Sequence, residues 1–149
     1  MPLVRTQILQ MLTNAISTQA SCPVVLGHAD ALLDDTTPQW VTVHGGAPVV
    51  VTEYQQIVLY SMPVLVRGFV REALVEDAKL TAEALEGECQ KAIYRGDRTL
   101  EGLAIDVREG ASEEEPLDLE NADPVHAFEL TVEIEYGTVA GDPSTAAAP

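Results

Sequence analysis

Apolar residues near the start of the chain recur with the spacing of an amphipathic helix, and polar residues fill the opposite face. The apolar positions are Val4, Ile8, Met11, Leu12, Ala15 and Ile16. The pattern predicts a helix over residues 2–19, which Cys22-Pro23 would end because proline disfavours helical backbone in the residue before it. Residues 72–94 keep the same spacing and predict a second helix, with Gly96 after its last turn.

Between the two helices the pattern changes to β-prone runs. Residues 24–26 predict a short strand. Residues 39–44 and 47–53, joined by Gly45-Gly46, predict a tight hairpin. Residues 56–71 are apolar on both faces, which is typical of a central strand or of one covered by a neighbouring subunit. Pro63 lies inside this run and predicts a bulge, a break or an edge position.

The last third of the chain predicts further strands. Residues 128–136 alternate strictly, with Phe128, Leu130, Val132, Ile134 and Tyr136 on one side. Residues 103–108 also alternate, residues 110–116 predict an acidic loop, and Leu117 and Leu119 suggest a short strand. The small residues 138–149 predict a flexible C-terminal tail.

These elements predict one α+β domain over residues 1–137. In it, two helices pack on one face of a mostly antiparallel β-sheet, and carboxylates lie on the other face.

The chain is strongly acidic, with 24 Asp and Glu against 8 Lys and Arg and a net charge of −16. Residues 101–135 contain a single base, Arg108. A chain of this charge repels phosphate, which argues against sequence-specific DNA binding. No apolar run approaches the roughly 18 residues that a membrane span needs, and the start lacks the features of a secretory signal. The sequence therefore predicts a protein made in a cytosol, without a membrane partner.

Motifs for catalysis and cofactor binding are missing from the sequence. It contains no G-x-x-x-x-G-K-[ST], G-x-G-x-x-G or G-x-S-x-G pattern, so we expect no catalytic residue, no cofactor and no enzyme. His28, Asp30, Asp34 and Asp35 could hold a divalent cation. A polar loop whose aspartates cap turns explains them more simply, and we expect no metal site. Cys22 and Cys89 are expected to remain thiols.

Two segments resemble a known family. Residues 98–109 read R-T-L-E-G-L-A-I-D-V-R-E, and residues 127–138 read A-F-E-L-T-V-E-I-E-Y-G-T. They resemble the tail-terminator (minor tail protein U, tail-completion) proteins of long-tailed phages and prophages. In that family a T-L-G-G-L-A-x-D-V-R segment precedes a final F-x-L-x-x-E-I-x-Y-x-T strand, and R-x-x-I-L occurs in the first helix, as at residues 5–9. Glu101 replaces a frequent glycine, and Gly137 a frequent charged residue.

The resemblance implies a structural virion protein at the neck end of the tail, assembled in the host cytoplasm. Its α/β fold would form a homohexameric ring that caps the tail tube, stops tube polymerisation and presents a surface for head–tail joining. The implied partners are further copies of the chain, the tail tube protein and the head–tail connector proteins. DNA would pass through the ring without specific binding.

Two groups of residues are candidates for such a ring. Carboxylates that line the bore or rim would repel the DNA backbone and let it slide. The candidates for the bore or rim are Glu113, Glu114, Glu115, Glu129, Glu133 and Glu135. Arg67, Phe69 and Arg71 are candidates for the subunit boundary, with the two arginines facing acids of the neighbour. Alternatively, the acids face outward and only confer solubility.

Two other functions remain open from the sequence. The chain could be another phage neck or tail protein, such as a head-completion or tail-tube subunit. It could also be a dimeric α+β module that binds a small molecule. A tube subunit would polymerise, a terminator would stop at one ring, and a binding module would carry a ligand.

Overall fold

Two strands of 15 residues run antiparallel through the centre of the sheet. They belong to a computed structural model that describes residues 2–27, 37–117 and 123–149. The helices are α1 (Val4–Ala20) and α2 (Val75–Gln90), and a π-helical turn (Lys91–Arg95) extends α2. The strands are β1 (Val24–Leu26), β2 (Gln39–Gly45), β3 (Val49–Tyr54), β4 (Ile57–Arg71), β5 (Asp106–Leu117), β6 (Val125–Val139) and β7 (Asp142–Ala146).

The seven strands form one sheet with two different ends. At one end the order is β1-β2-β4-β6-β5, and only β1 runs parallel to its neighbour. At the other end β3 pairs with the beginning of β4, and β7 pairs with the end of β6. We call this second part, which comprises β3, β7 and residues 57–61 and 135–139, the narrow end. The architecture confirms the predicted α+β class with a mostly antiparallel sheet.

The main core lies between the helices and one face of the sheet. Helix α1 buries Val4, Ile8, Leu12 and Ile16 completely, as its spacing predicts. These side chains belong to one cluster with apolar residues of β4 and β6, among them Met62, Val64, Val66, Leu130, Val132 and Ile134. Burial of aliphatic side chains contributes roughly 1.5–3 kcal/mol each, so this layer accounts for most of the stability of the fold.

Gly68 lies at a point of close approach inside this core. It is the registered partner of Phe128 on β6, and a Cβ built at Gly68 would lie 2.1 Å from the ring of Phe128. No side chain fits at such a distance, so the ring occupies the space that Gly68 leaves free. The pair fixes how β4 and β6 align.

A second, smaller cluster lies on the opposite face. Trp40 stacks on Phe69 with ring centroids 5.1 Å apart, and Val125 and Ala127 complete the cluster. Where β2, β4 and β6 lie side by side, the sheet therefore buries apolar residues on both faces. This explains why β4 carries apolar residues on both of its faces.

The predicted hairpin between residues 39–44 and 47–53 is wrong. Strands β2 and β3 do not pair with each other; both pair with β4, β2 with residues 64–70 and β3 with residues 57–61. The hairpin is instead formed by β3 and β4, with Gln55 in a left-handed conformation at φ 56° in its turn. Strand β4 is long enough to accept two successive partners on one edge, and Gly45-Gly46 carries the chain from one to the other.

Pro63 causes neither a bulge nor a break, and it does not lie at an edge. Its pairing with Glu133 belongs to an unbroken register between β4 and β6. On the other side of β4, β2 ends opposite Val64 and β3 begins opposite Ser61. The missing N–H of Pro63 thus lies where β4 changes partners, and its carbonyl accepts a hydrogen bond from the Gly46 N–H at 2.7 Å.

The acidic segment 110–116 is a strand and not a loop, because β5 continues through it after an irregularity between Glu109 and Ser112. Residues 103–105 precede the strand instead of forming its start. The chain also keeps regular structure beyond residue 137, since β6 reaches Val139 and Asp142–Ala146 forms β7. This corrects the expected secondary structure of the tail; its flexibility stays a prediction.

The second helix also differs in detail. It begins at Val75, with Glu76 and Asp77 in its first turn, where carboxylates favour the positive helix end. Gly96 follows the π-helical turn with φ −91°, so it does not adopt the left-handed conformation that is typical of a glycine at the end of a helix. In the part of the chain that the structure describes, no helix combines the length and apolar character of a membrane span.

Candidate functional site

Five of the six acids predicted for the bore or rim share the sheet face opposite the helices. Strand alternation and the register of β5 on β6 place Glu113 directly opposite Glu129, and Glu115 opposite Ala127. Glu133 and Glu135 lie further along β6 on the same side, beside Asp106 of β5. We call these six residues, Asp106, Glu113, Glu115, Glu129, Glu133 and Glu135, the carboxylate face.

Arginines from the same chain partly neutralise this face. Arg67 lies in the middle of it, with Nη2 3.2 Å from Glu115 Oε1 and Nε 3.4 Å from Glu129 Oε2. Arg108 approaches Glu135 at 2.9 Å and Asp106 at 3.6 Å. These pairs offset the repulsion that like charges on adjacent strands create. The carboxylates still outnumber the arginines that pair with them, so the face stays negative.

The sixth predicted acid, Glu114, lies on the helix side, because the segment is a strand and alternates. Its carboxylate is 3.4 Å from His126 Nε2 and interacts with Glu86 of α2. The Ser112 hydroxyl donates a hydrogen bond to Glu86. Burial, followed by the nearby Glu114, raises the pKa of Glu86 above its ordinary value, although the bond from Ser112 opposes the shift. This cluster is not predictable from a sequence pattern that indicates a loop over residues 110–116.

The three residues predicted for the subunit boundary make contacts inside the chain. Phe69 is 2% exposed and stacks on Trp40, so little of its ring is left for a neighbour. Arg67 lies over Phe69 and Arg71 over Trp40, each with its guanidinium carbon 5.4 Å from the ring centroid. Both arginines thereby cover the small second core. A boundary role for the three residues stays a prediction.

The narrow end carries a surface that the sequence analysis did not single out. All six residues of β3 are exposed, among them Val49 at 62%, Val51 at 60% and Tyr54 at 54%. On the helix side, beside β3, lies a groove of about 300 Å³. Tyr60 and Tyr136 stack in it with centroids 5.1 Å apart, and Arg5 contributes a positive charge. Tyr136 is buried, and its burial raises the pKa of the hydroxyl despite the opposing effect of Arg5.

Within residues 2–27, 37–117 and 123–149, no three His, Cys, Asp or Glu side chains are placed so that they could hold a metal ion together. The possible ligands His28, Asp30, Asp34 and Asp35 lie outside the described residues. Cys22 and Cys89 are free thiols. Burial, together with nearby acidic groups, raises the pKa of Cys89 to about 12, which disfavours the thiolate that metal binding or nucleophilic attack requires.

The fold that these elements define, two helices on a curled and mostly antiparallel sheet, is shared with a chain of a solved virion structure. A chain from the virion of a native gene transfer agent particle superimposes with a TM-score of 0.52. The alignment covers 89% of this chain and 90% of that chain at 12% sequence identity, so the likeness is one of fold. A second solved structure aligns at 12% identity with a TM-score of 0.45, which is too low to support an argument.

Comparison of the sequence with family models and with curated proteins found no related protein. No family model matches the chain, and no curated protein matches it.

Proposed function

We propose that the chain is a structural virion protein of a tailed phage or phage-like particle. It assembles as a homohexameric ring that caps the tail tube, ends tube polymerisation and forms the interface for head–tail joining. The observation that carries the proposal is the fold shared over nine-tenths of both chains with a virion component of a gene transfer agent. The resemblance of residues 98–109 and 127–138 to tail terminators supports the more specific role.

The carboxylate face supports a ring through which DNA passes. It is a negative surface on the central strands of the sheet, and its arginines are already engaged by carboxylates of the same chain. A bore lined in this way repels phosphate and leaves few cations to hold the backbone. An image of the assembled ring tests this directly, because more than half of the carboxylate face lying outside the bore contradicts the assignment.

A filter-retention assay with double-stranded DNA at about 50 mM salt also tests the bore. Glu113, Glu129, Glu133 and Glu135 are changed together to glutamine. We expect retention to rise, because four charges disappear and Arg67 and Arg108 lose partners. The control variant loses four exposed charges elsewhere, at Glu76, Asp77, Glu83 and Glu101. Equal retention by both variants would mean that only net charge matters and would exclude a special role for the carboxylate face.

A second candidate function is that of a tail-tube or head-completion subunit. The shared fold supports this alternative as well, because the structural likeness does not separate one virion component from another. Electron microscopy of the pure protein distinguishes them. A terminator gives single rings of constant height, whereas a tube subunit gives filaments that lengthen with protein concentration.

A further inference from the structure

Among the described residues no strand pairs with the outer edge of β3, and this edge has few of the features that usually prevent association. Natural edge strands are commonly shielded by lysine, proline or a covering element. Strand β3 reads V-V-V-T-E-Y, contains no lysine or proline, and exposes its whole length. Exposed apolar surface of this kind marks an interaction site on a monomer that must stay soluble.

The other free edge of the narrow end differs from β3. Strand β7 contains Pro143, which has no N–H to donate to a further strand. The carboxylate of Asp142 accepts hydrogen bonds from the Ser144 and Thr145 hydroxyls at 2.7 and 2.6 Å. The Ser144 backbone N–H also donates to Asp142, at 3.2 Å, so fewer backbone donors of β7 are left for a further strand. The contrast singles out the β3–β4 hairpin as the part of the narrow end that is better suited to bind a neighbour.

Charge favours a second copy of this chain as the occupant. Residues 46–66, which include β3 and the part of β4 that pairs with it, contain one charged residue, Glu53. Copies of a chain with net charge −16 repel each other over most of their surface, and the hairpin is a surface where this repulsion is weak. A neighbour that binds the hairpin would be stabilised by a positively charged side chain placed beside the carboxylate of Glu53.

The groove of the narrow end contains such a positively charged side chain, Arg5. Arg5 lies at the groove, and no carboxylate among the described residues is within ion-pair distance of its guanidinium. Pro48, Pro143 and the stacked Tyr60 and Tyr136 make the rest of the groove apolar and aromatic. Val50 is the registered partner of Tyr60, and Glu53 lies three residues further along β3. The Cα of Glu53 is therefore about 10 Å from that of Val50 along the strand, towards the hairpin tip. It does not pair with Arg5 of its own chain.

We propose that the tip of the β3–β4 hairpin of one subunit docks in the groove of the next, with Glu53 paired to Arg5 and Tyr54 against the stacked tyrosines. The hairpin tip and the groove are different surfaces, so the contact is head-to-tail and closes a ring when the rotation between subunits allows it. The inference rests on the proposed ring and names the contact that closes it.

A charge-swap series measured by native mass spectrometry tests the contact. Arg5→Glu and Glu53→Arg place like charges together, so each single variant should weaken association by at least about tenfold. The double variant restores opposite charges and should return to within about threefold of the wild type. Lys79→Glu and Glu83→Arg, alone and together, make the same charge changes on the exposed face of α2 and should leave assembly unchanged. Circular dichroism confirms that every variant is folded.

The outcomes separate this inference from the proposed function. If the wild type forms rings and both single variants assemble equally well, the docking contact is wrong and the ring stands. If both single variants dissociate and the double variant does not recover, the pairing of Glu53 with Arg5 is wrong. If the wild type does not associate at all, the proposed ring fails, and the docking contact fails with it.

Discussion

Replacement of Gly68 by alanine tests the register of the two central strands. The new Cβ would lie 2.1 Å from Phe128, and ordinary contact begins at 3.4 Å, so the ring must move by about 1.3 Å in a closely packed core. Phe128 is 1% exposed and belongs to the main core. Overpacking of this kind costs about 1–3 kcal/mol, and the lower chain entropy of alanine returns only about 0.5–1 kcal/mol.

Thermal unfolding followed by circular dichroism measures the effect. We expect a net loss of about 1 kcal/mol, which for a chain of this size lowers the Tm by roughly 2–4 °C. Gly87→Ala is the matched control: a Cβ at Gly87, inside α2, meets no atom within 4 Å. This change should raise the free energy of unfolding by about 0.5–1 kcal/mol, because glycine is a poor helix former.

A second variant shows whether the clash is the cause. Phe128→Leu alone opens space in the core and destabilises. Combined with Gly68→Ala, it should cost less than the sum of the two single changes, because the new methyl group fills part of that space. A Gly68→Ala protein that melts within roughly 1 °C of the wild type would refute the register of β4 on β6.

Further predictions concern the charge and the thiols of the folded chain. Arg67→Met should lower the free energy of unfolding in urea by about 1 kcal/mol, because Glu129 loses its partner. The double variant Arg67→Met/Glu129→Gln should recover part of this loss. An unchanged urea midpoint would contradict the ion pair. Burial raises the pKa of Cys89 from 9.0 to about 12 in the folded chain. Between these two pH values the thiol is ionised in the unfolded chain and protonated in the folded one. The free energy of unfolding should therefore fall as the pH rises from about 9 towards 12. Cys89→Ala should flatten this part of the pH profile of the Tm, and an equally steep profile would contradict the burial of the thiol.

Local periodicity was enough to predict the two helices and β6. Each of these elements shows its pattern within its own segment, as in the alternation from Phe128 to Tyr136. The choice of strand partners was not predictable in this way. Gly45-Gly46 is typical of a hairpin turn, yet β4 is long enough to accept β2 and β3 one after the other, and only the folded sheet determines which strands meet.

The acidic strand β5 was missed because three consecutive glutamates disfavour a strand. The sheet overrides this preference: pairing with β6 and the ion pair between Arg67 and Glu115 hold the segment in place. The same alternation sends Glu114 to the helix side, away from the other predicted acids. The groove was missed for another reason, since Arg5 and Pro143 lie at opposite ends of the sequence and only the tertiary structure brings them together.

Native mass spectrometry of the wild-type chain over a range of protein concentrations tests the central claim most directly, because closure is a statement about stoichiometry. The account predicts one dominant assembly of six times the 16.0 kDa subunit mass, with no larger series at higher concentration. A ladder of ever-longer oligomers, a dimer, or a monomer that persists at the highest concentration would contradict it.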